Sequence, residues 1–364
     1  MKVLKFSYEF NGHDELQMNS LIVGSISLKE LNLLVGRNAS GKSTAAFALW
    51  SFAEMIQGTS VSYTGKFSAE LELEPGIVYK YIFSQMSVYA GEGEGITEQL
   101  SKNGISLLER SGTSGKIYSD TTRDFVEINP PPDKLIHQVR RDEKEYPYLE
   151  DLVRWAESTH FLKFGHVHSA SSLPGQRGIE SVSSFKDKDF DKILGGLTDE
   201  SKKKIIEEFN SLGYNVTLMN IKKENGRNII SVKENGVKYQ IDQGRLSQGM
   251  FRSLLLLIFL YHVMEKQKSQ LIIIDDLCEG LDYDRATRLG KLIFQKMKEK
   301  GVQFVATSND YFLMNVVDIE YWNIIYREGD KIKSRNYTNS KEKFDSFKLT
   351  GLSNFDLYSS NFLD

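Results

Sequence analysis

Cysteine and an excess of charge of either sign are scarce in this 364-residue chain. Cysteine occurs once, at Cys278, so the sequence excludes a disulfide framework and a cysteine-based metal site and suits a reducing cytoplasm. The 46 basic and 49 acidic side chains leave a net charge of −3. There is therefore no global basic field that would by itself indicate nucleic-acid binding.

Long apolar runs are also missing. The most apolar stretch, residues 254–263, is too short and too interrupted to span a bilayer. Residues 1–10 alternate polar and apolar side chains like an edge strand and lack a signal peptide's apolar region. No heptad pattern continues for more than about two helical turns, which excludes long coiled-coil arms. We expect a cytoplasmic protein without membrane contact, with length for two domains or one domain with a large insertion.

Against this background, residues 36–44 (GRNASGKST) match the phosphate-binding pattern G-x-x-x-x-G-K-[ST] without a mismatch. The apolar run at 31–35 predicts a buried strand before the loop, and the alanine-rich run at 44–55 predicts a helix after it. In this context backbone N–H groups and a helix N-terminus face a phosphate, which disfavours the alternative of a glycine-rich surface turn. The expected nucleotide-binding residues are Gly36, Arg37, Asn38, Ala39, Ser40, Gly41, Lys42, Ser43 and Thr44.

Within this loop, Lys42 is expected to reach the β- and γ-phosphates and Ser43 to bind Mg²⁺ through its hydroxyl. The second half of such a site is predicted at residues 271–276 (LIIIDD), where four apolar residues end in an acidic pair. This pattern favours a central parallel strand that delivers carboxylates to its C-terminal edge. We assign Mg²⁺ coordination to Asp275 and water positioning or general-base action to Asp276. The alternative is a strand followed by a helix-capping aspartate.

Two further segments make the assignment more specific. An apolar strand predicted at 302–307 ends in polar residues, which places Asn309 close to the same γ-phosphate. Residues 245–252 (RLSQGMFR) lead into a helix predicted at 253–264, and Ser247 and Gly249 would form a second anion site at its N-terminus. One chain needs no second anion site unless two copies share nucleotides.

This set of motifs resembles the ABC-class ATPases, in particular the soluble branch with SMC, RecF and the OLD-type ATPases of bacterial defence systems. Residues 246–249 are similar to the signature motif, which in that class caps the γ-phosphate bound by the opposite subunit. Residues 279–282 are similar to the loop that follows the Walker B strand, here 271–275, and Asn309 stands where transporters carry a switch histidine. The resemblance covers about residues 1–60 and 240–330. It implies ATP and Mg²⁺ as ligands and a homodimer formed around composite ATP sites.

The fold implied is α/β: a phosphate-loop NTPase of ABC-ATPase type, with a mixed β-sheet core, an antiparallel β subdomain and an inserted α/β lid region. Three regions are expected. Residues 1–125 carry the phosphate loop and an antiparallel meander, 126–240 are an inserted region of helices and β-hairpins, and 241–364 carry the signature, Walker B and switch motifs. Meander strands are predicted at 66–73, 77–83, 85–89, 105–109 and 117–118, and the residues after 330 predict a short strand and a polar end.

Helices are predicted at 133–141, 148–158 and 186–213, and strands at 160–164, 215–221, 228–234 and 237–241. Asn-Gly pairs at 225–226 and 235–236 predict hairpins. The glycine-rich tract at 91–95 predicts a turn. His166 and His168 have no partner cluster nearby and are not expected to hold a metal.

The sequence also departs from the class. The Walker B aspartate is normally followed by glutamate, and Asp276 is shorter by one methylene, which would hold the catalytic water less well. Glu279 is near enough in sequence to be a substitute base, although its position better suits a helix start. Asn309 can hydrogen-bond a phosphate but cannot take up a proton at neutral pH. Gln85 is a weak candidate for the glutamine that usually contacts the γ-phosphate. No residue is assigned to stack on adenine, so ATP over GTP rests on the resemblance.

Three functions remain open. The first is an ATPase that dimerises around ATP and gates or drives a separate effector, a nuclease or toxin, in bacterial anti-phage defence. The effector is expected on another chain because no acidic cluster after residue 330 resembles a nuclease domain. The second is a binding switch that scarcely hydrolyses ATP. The third is a RecF-like DNA-repair ATPase, for which residues 202–204 and 140–141 are candidate basic contacts. A transporter subunit fits the long middle segment less well.

Overall fold

The computed structural model describes residues 1–12, 19–58, 64–85, 95–163, 190–224, 227–265, 271–360 and 362, with the backbone alone at 224 and 227. The strands in these residues are β1 Lys2–Phe10, β2 Leu21–Ser27, β3 Leu31–Val35, β4 Gly65–Glu74, β5 Ile77–Gln85, β6 Thr97–Lys102, β7 Ile105–Ser111, β8 Ser114–Ser119, β9 Asp124–Ile128, β10 Thr159–Lys163, β11 Val216–Glu224, β12 Arg227–Glu234, β13 Ile241–Asp242, β14 Leu271–Asp275, β15 Gln303–Ser308, β16 Trp322–Glu328 and β17 Lys331–Asn336. The helices are α1 Lys42–Gln57, α2 Ile136–Val139, α3 Pro147–Glu157, α4 Phe190–Gly196, α5 Asp199–Ser211, α6 Gln248–Glu265, α7 Tyr283–Lys300, α8 Tyr311–Val316, α9 Lys341–Lys348 and α10 Asn354–Ser359.

Most of the strands join one mixed sheet, in the order β10-β14-β15-β3-β16-β17-β2-β1-β4-β5-β6-β7-β8-β9. The strands from β10 to β16 in this order run parallel, and the strands from β2 to β9 pair antiparallel. A separate antiparallel sheet contains β11, β12 and β13. The predicted α/β fold class, with a mixed core and an antiparallel β subdomain, is confirmed.

The parallel strands are buried on both faces, which explains their unbroken apolar runs. In β14, Leu271 and Ile273 face the core that contains α1, whereas Ile272 and Ile274 face the core that contains α6 and α7. Because successive side chains of a strand point to opposite faces, α1 and α6 lie on opposite sides of the sheet. This separation positions the two candidate anion-binding motifs.

Helix α1 connects the parallel part of the sheet to the antiparallel part. Trp50 stacks on Phe161 of β10, with ring centroids 5.4 Å apart, and Phe52 stacks on Phe83 of β5 at 5.5 Å. Burial of each such ring contributes about 1.5–3 kcal/mol. The helix ends at Gly58, whose backbone is left-handed and donates a hydrogen bond to the Met55 carbonyl. Helix α1, which follows the phosphate loop, is therefore packed against both β10 and β5.

The antiparallel part contains a buried ion pair between Glu98 of β6 and Arg110 of β7. The Arg110 Nη1 donates to Glu98 Oε2 at 2.6 Å, and both side chains are fully buried. Tyr81 donates its hydroxyl to Glu98 Oε1 at 2.7 Å, and the Ile136 N–H contacts both carboxylate oxygens. Arg110 also donates to the carbonyls of residues 112, 131 and 134. This network fixes β6 and β7 to the segment that enters α2.

Several boundaries differ from prediction. Strands β6, β9 and β16 were not predicted, and the helix expected at 133–141 shrinks to the single turn of α2. The helix expected over 186–213 is interrupted between α4 and α5, and the strand expected at 237–241 is reduced to β13. The end of the chain holds helices α9 and α10, where a polar end was predicted. Buried Phe344, Phe347 and Leu357 anchor these helices to the core, a tertiary effect that the polar composition conceals.

Some predictions lie outside the described residues: His166 and His168, the pair 225–226, residues 91–94 of the glycine-rich tract, and 86–89 of the strand expected at 85–89. The division into regions 1–125, 126–240 and 241–364 stays a prediction. In the part of the chain that is described, no helix has both the length and the apolar character needed to cross a membrane.

Candidate nucleotide site

The loop between β3 and α1 requires glycine at two positions. A Cβ on Gly36 would lie 2.4 Å from the Ile325 carbonyl oxygen and 2.6 Å from the Ser40 Oγ. Gly41 has φ of +98°, and a Cβ there would lie 2.4 Å from Ile332 Cδ1. Ala39 also has a positive φ, 63°, which a residue with a Cβ adopts at a cost. The loop is therefore a strained turn held against β16 and β17.

Lys42 lies beneath this loop and is 7% exposed. Its Nζ donates to the carbonyl oxygens of Gly36 at 2.9 Å and Arg37 at 3.1 Å. Burial lowers the pKa of Lys42, and the carboxylates of Asp276 and Asp275 oppose this shift. The ammonium group is thus surrounded by the loop and close to both acidic residues assigned from the sequence.

Hydroxyl groups border the same loop. Ser40 is buried, and its Oγ has no hydrogen-bond partner among the described residues. Ser43 and Thr44 lie half-buried in the first turn of α1. Since buried polar atoms are normally hydrogen-bonded, the orphaned Ser40 hydroxyl is consistent with a polar ligand at this loop.

Asp275 ends β14 and is 1% exposed. Its Oδ1 accepts a hydrogen bond from Thr307 Oγ1 at 2.6 Å. Its Oδ2 lies 3.1 Å from the Nζ of Lys163, at the end of β10, but this contact lacks hydrogen-bond geometry. One oxygen is therefore fixed in direction, and the other faces a cation that is held by charge.

Asp276 follows in a left-handed conformation with φ of 57°. Burial raises the pKa of its carboxyl to about 6, with smaller contributions from Asp275 and Glu279, while Lys163 and Lys42 act in the opposite direction. Its N–H donates to Thr307 Oγ1 at 2.9 Å. Strained backbone and a raised carboxyl pKa are typical of functional sites.

Thr307 was missed by sequence reasoning, although it connects the two aspartates. It lies one residue before the end of β15 and two residues before Asn309. Asn309 is exposed and donates from Nδ2 to Asn38 Oδ1 of the phosphate loop at 2.7 Å. The structure thus gathers the phosphate loop, Asp275, Asp276 and Asn309 at the carboxyl ends of β3, β14 and β15.

Ser247 and Gly249 do not join this cluster. Helix α6 begins at Gln248, five residues before the predicted start at 253, and the exposed Ser247 accepts from the Met250 N–H. A Cβ on Gly249 would lie 2.9 Å from Leu281 Cδ2, so this motif packs on the 279–282 loop. Among the described residues, no hydrogen bond or ion pair links Ser247 or Gly249 to the phosphate loop.

Two weaker candidates have other surroundings. Glu279 is half-exposed and pairs with Arg252 of α6 at 3.0 Å, so its carboxylate is already engaged. Gln85 ends β5 opposite Gly65 in the antiparallel part of the sheet. Within the described residues, it has no hydrogen bond to the phosphate loop or to Asp275.

The donor set fits Mg²⁺ bound together with phosphate oxygens. The described residues contain no cluster of three or more His, Cys, Asp or Glu side chains that could hold a metal ion by themselves. Ser43 Oγ, in the first turn of α1, and Asp275 Oδ2, which lacks a hydrogen bond, are hard oxygen atoms of the kind that Mg²⁺ prefers. Mg²⁺ typically takes one or two protein oxygens and completes its shell with phosphate and water.

A cavity of about 500 Å³ opens beside the phosphate loop. It is bounded by residues 37–40 of the loop, by β16, by Arg335 of β17 and by Leu357 and Tyr358 of α10. Tyr326 forms part of the wall, with the Arg335 guanidinium 4.9 Å from its ring centroid. The cavity therefore combines aromatic rings and guanidinium groups directly next to the loop.

Comparison with known proteins places these features in a family. A family model described as "AAA domain, putative AbiEii toxin, Type IV TA system" matches residues 31–315. This range contains every residue assigned to the site from the sequence. No curated protein sequence matches the chain.

Three solved structures are similar over most of their length. An SMC head bound to the C-terminal winged-helix domain of ScpA is 14% identical, with a TM-score of 0.46, over 92% of this chain and 97% of that chain. The SMC head domain from Thermotoga maritima is 16% identical, with a TM-score of 0.42, over 92% and 99%. A Pyrococcus furiosus SMC head with an extended coiled coil is 11% identical, with a TM-score of 0.46, over 95% and 99%. Similarity at this level transfers no partner or activity.

Proposed function

The chain belongs to this AAA-domain family of phosphate-loop ATPases, and from that premise we propose that it binds Mg²⁺–ATP on the 36–44 loop and hydrolyses it between two copies of itself. The cluster of Lys42, Asp275 and Asp276 around a strained glycine loop carries the proposal. Phosphoryl transfer is catalysed mainly by positioning the reacting groups and by neutralising charge, and a cluster of this kind can do both.

Each residue has a defined role in this proposal. Lys42 exchanges its two loop carbonyl partners for the β- and γ-phosphate oxygens, and Asn309 donates to the γ-phosphate from its place beside Asn38. Ser43 and Asp275 would hold Mg²⁺, which supplies charge neutralisation when it is bound. Asp276 orients the attacking water and accepts its proton.

The second copy contributes Ser247 and Gly249. These residues lie at the N-terminus of the 18-residue helix α6, on the face of the sheet opposite α1, and among the described residues they have no hydrogen bond to the phosphate loop of the same chain. Ser247 is exposed and can meet the γ-phosphate held by a partner. The proposed state is a homodimer around two ATP molecules.

We place this cycle in bacterial anti-phage defence, where it gates or drives a separate nuclease or toxin effector. The toxin–antitoxin wording of the family description supports that setting. A RecF-like DNA-binding function gains no support from the candidate basic residues. Of these five residues, Arg141, Lys202 and Lys204 are already engaged in ion pairs, with Glu150, Asp199 and Glu200.

A slow binding switch is the second candidate, and the geometry at Asp276 favours it. The shorter carboxylate carries a raised pKa, and Glu279 is engaged by Arg252. Turnover separates the two functions. If Asp276→Ala hydrolyses ATP at the wild-type rate while still binding ATP and dimerising, the chain is a switch and the ATPase proposal fails.

The central experiment measures ATP affinity, turnover and molecular mass with and without ATP for four proteins. We expect wild type to dimerise with ATP, Lys42→Ala to lose binding and dimerisation, and Ser247→Arg to bind ATP but stay monomeric. Ser340→Arg is the control, because Ser340 precedes α9 and belongs to neither the 245–252 segment nor the 279–282 loop. Unchanged ATP affinity in Lys42→Ala would refute the assignment of the phosphate loop.

The cavity beside the loop is the proposed place for the nucleobase, which the sequence left unassigned. Tyr326 and Tyr358 can stack on a purine, and burial raises the pKa of Tyr358 while the Arg37 guanidinium opposes this. Base stacking on an aromatic side chain contributes about 1–3 kcal/mol. Tyr358→Ala should therefore weaken ATP binding about tenfold and leave tripolyphosphate binding unchanged. The control is Tyr239→Ala, at an exposed tyrosine outside the cavity. Equal losses for both ligands would remove the nucleobase from this cavity.

A further inference from the structure

Lys163 is a cation at the candidate site that no motif predicted. It is the last residue of β10, and the parallel pairing of β10 with β14 places it opposite Asp275. The two side chains are 12% and 1% exposed, and the ammonium nitrogen lies 3.1 Å from Asp275 Oδ2. The register of β10 and β14 therefore brings the Lys163 ammonium group close to Asp275, the carboxylate assigned to Mg²⁺.

The contact between Lys163 and Asp275 Oδ2 is one that a metal ion can replace. Thr307 fixes Asp275 Oδ1 by a hydrogen bond, whereas Oδ2 meets Lys163 without hydrogen-bond geometry. A lysine side chain is a compact charge on a flexible stem, so it can neutralise a carboxylate and can also change its position. The oxygen that Lys163 covers is the one left for a metal ion.

We propose that Lys163 occupies the Mg²⁺ position electrostatically: it neutralises Asp275 in the nucleotide-free protein and yields Oδ2 when Mg²⁺ arrives with the nucleotide. The proposal rests on the proposed function in one respect, the role of Asp275 as Mg²⁺ ligand. Two lysines, Lys42 and Lys163, and two aspartates, Asp275 and Asp276, are buried or half-buried at this site.

This arrangement sets the order of binding. A divalent cation that approached Asp275 alone would meet the ammonium of Lys163 at close range, and a buried pair of like charges is costly. The triphosphate carries the negative charge that lets Lys163 and Mg²⁺ lie in one site. Free Mg²⁺ is therefore excluded, and the site responds to the Mg²⁺–nucleotide complex.

The test uses the full chain without nucleotide, so its outcome does not depend on ATP binding. Melting temperature is measured in EDTA and in millimolar MgCl₂ for wild type, Lys163→Met and the matched control Lys80→Met, at an exposed lysine near Glu70. We expect Mg²⁺ alone to leave wild type and the control unchanged. Lys163→Met should melt several degrees lower in EDTA and be restored by Mg²⁺, with Mg²⁺ affinity raised at least about tenfold.

A second variant connects the effect to Asp275. In Lys163→Met/Asp275→Asn the response to Mg²⁺ should disappear, because the carboxylate that attracts the metal is gone. If Lys163→Met does not fold, Lys163→Gln replaces it in the same assay. Equal stabilisation of wild type and variant by Mg²⁺, or a variant that ignores Mg²⁺, overturns the proposal. Failure of Lys42-dependent ATP binding would instead refute the proposed function and leave this result intact.

Discussion

Two buried cation–carboxylate pairs in this molecule differ in how completely they are hydrogen-bonded. In the antiparallel part, both oxygens of Glu98 accept hydrogen bonds, and Arg110 donates to three carbonyls besides its carboxylate partner. At the candidate site, Asp275 has one satisfied oxygen, and the other meets Lys163 without hydrogen-bond geometry.

We interpret this difference as one between a pair that stabilises the fold, Glu98 and Arg110, and a carboxylate proposed to bind a ligand, Asp275. A fully satisfied buried network specifies one arrangement and stays closed. A buried carboxylate oxygen without a hydrogen bond calls for a physical explanation, and a bound cation is the simplest one for Asp275. Positive φ does not follow this division: Ala39 and Asp276 lie at the candidate site, whereas Asn103 and Arg123 lie in turns of the antiparallel part.

The largest effect is expected from breaking the saturated pair. Arg110→Met leaves Glu98 buried without its charge partner, and we expect a loss of about 3–5 kcal/mol in the free energy of unfolding. Burial already raises the pKa of Glu98, so part of the loss appears as proton uptake by this carboxyl. Urea unfolding measures the change, and ATP affinity of the folded protein should stay at the wild-type value.

Arg141→Met is the matched control for this prediction. Arg141 forms a bidentate pair with Glu150 but is about half-exposed, and pairs of this kind contribute about 0–1 kcal/mol. Similar losses in the free energy of unfolding for Arg110→Met and Arg141→Met would mean that the fully hydrogen-bonded network of Glu98 and Arg110 contributes no more to stability than a surface pair. The comparison between the two buried pairs would then fail.

Local patterns allowed much of the framework to be predicted. The phosphate loop, the Walker B strand and the α/β class with a mixed sheet follow from short segments whose residue types admit few conformations. Gly36 and Gly41 illustrate the reason, because a Cβ at either position would collide with the neighbouring strands. The roles assigned to Asp275, Asp276 and Asn309 stay predictions, although the structure places them at one sheet edge.

What sequence reasoning missed depends on register and on distant packing. Lys163 reaches Asp275 only because β10 pairs with β14, and the sequence of residues 159–163 does not indicate that β14 is the neighbouring strand. Thr307 looks like an ordinary strand residue until its hydroxyl is seen between two aspartates. Tyr358 lies in α10, a helix in the segment that was predicted as a polar end. The composition of this segment therefore did not indicate that it forms a wall of the cavity beside the phosphate loop.

His137 sharpens the comparison, because its buried imidazole lies in the structural part and neither ring nitrogen has a well-formed hydrogen bond. Burial lowers the pKa of His137 to about 4, partly opposed by the carbonyls of Met55 and Ile56. An incompletely bonded group is tolerated there while it is neutral. The folded state binds fewer protons than the unfolded state between pH 6.5 and 4, so stability falls as pH falls through this window.

At pH 5 we expect the contribution of His137 to lower the free energy of unfolding by about 2 kcal/mol relative to pH 7. His137→Leu should flatten this part of the pH dependence when urea unfolding is followed from pH 7 to 5. The variant should bind ATP like wild type at pH 7, because the ring is packed against the end of α1 and not against the loop. A pH profile that His137→Leu leaves unchanged would assign the acid sensitivity elsewhere.

The smallest effect is expected from an exposed contact at the site. Asn309 donates one hydrogen bond to Asn38, and both side chains are exposed, so Asn309→Ala should leave the melting temperature unchanged. In the proposed function the amide orders the loop and donates to the γ-phosphate, so its loss should weaken ATP affinity by about 0.5–1 kcal/mol, a two- to fivefold change in Kd. Titration with a fluorescent ATP analogue measures it, with Asn228→Ala, at an exposed asparagine in β12, as control. A melting temperature that falls while Kd stays constant would move Asn309 from the group that awaits a ligand to the group that holds the fold.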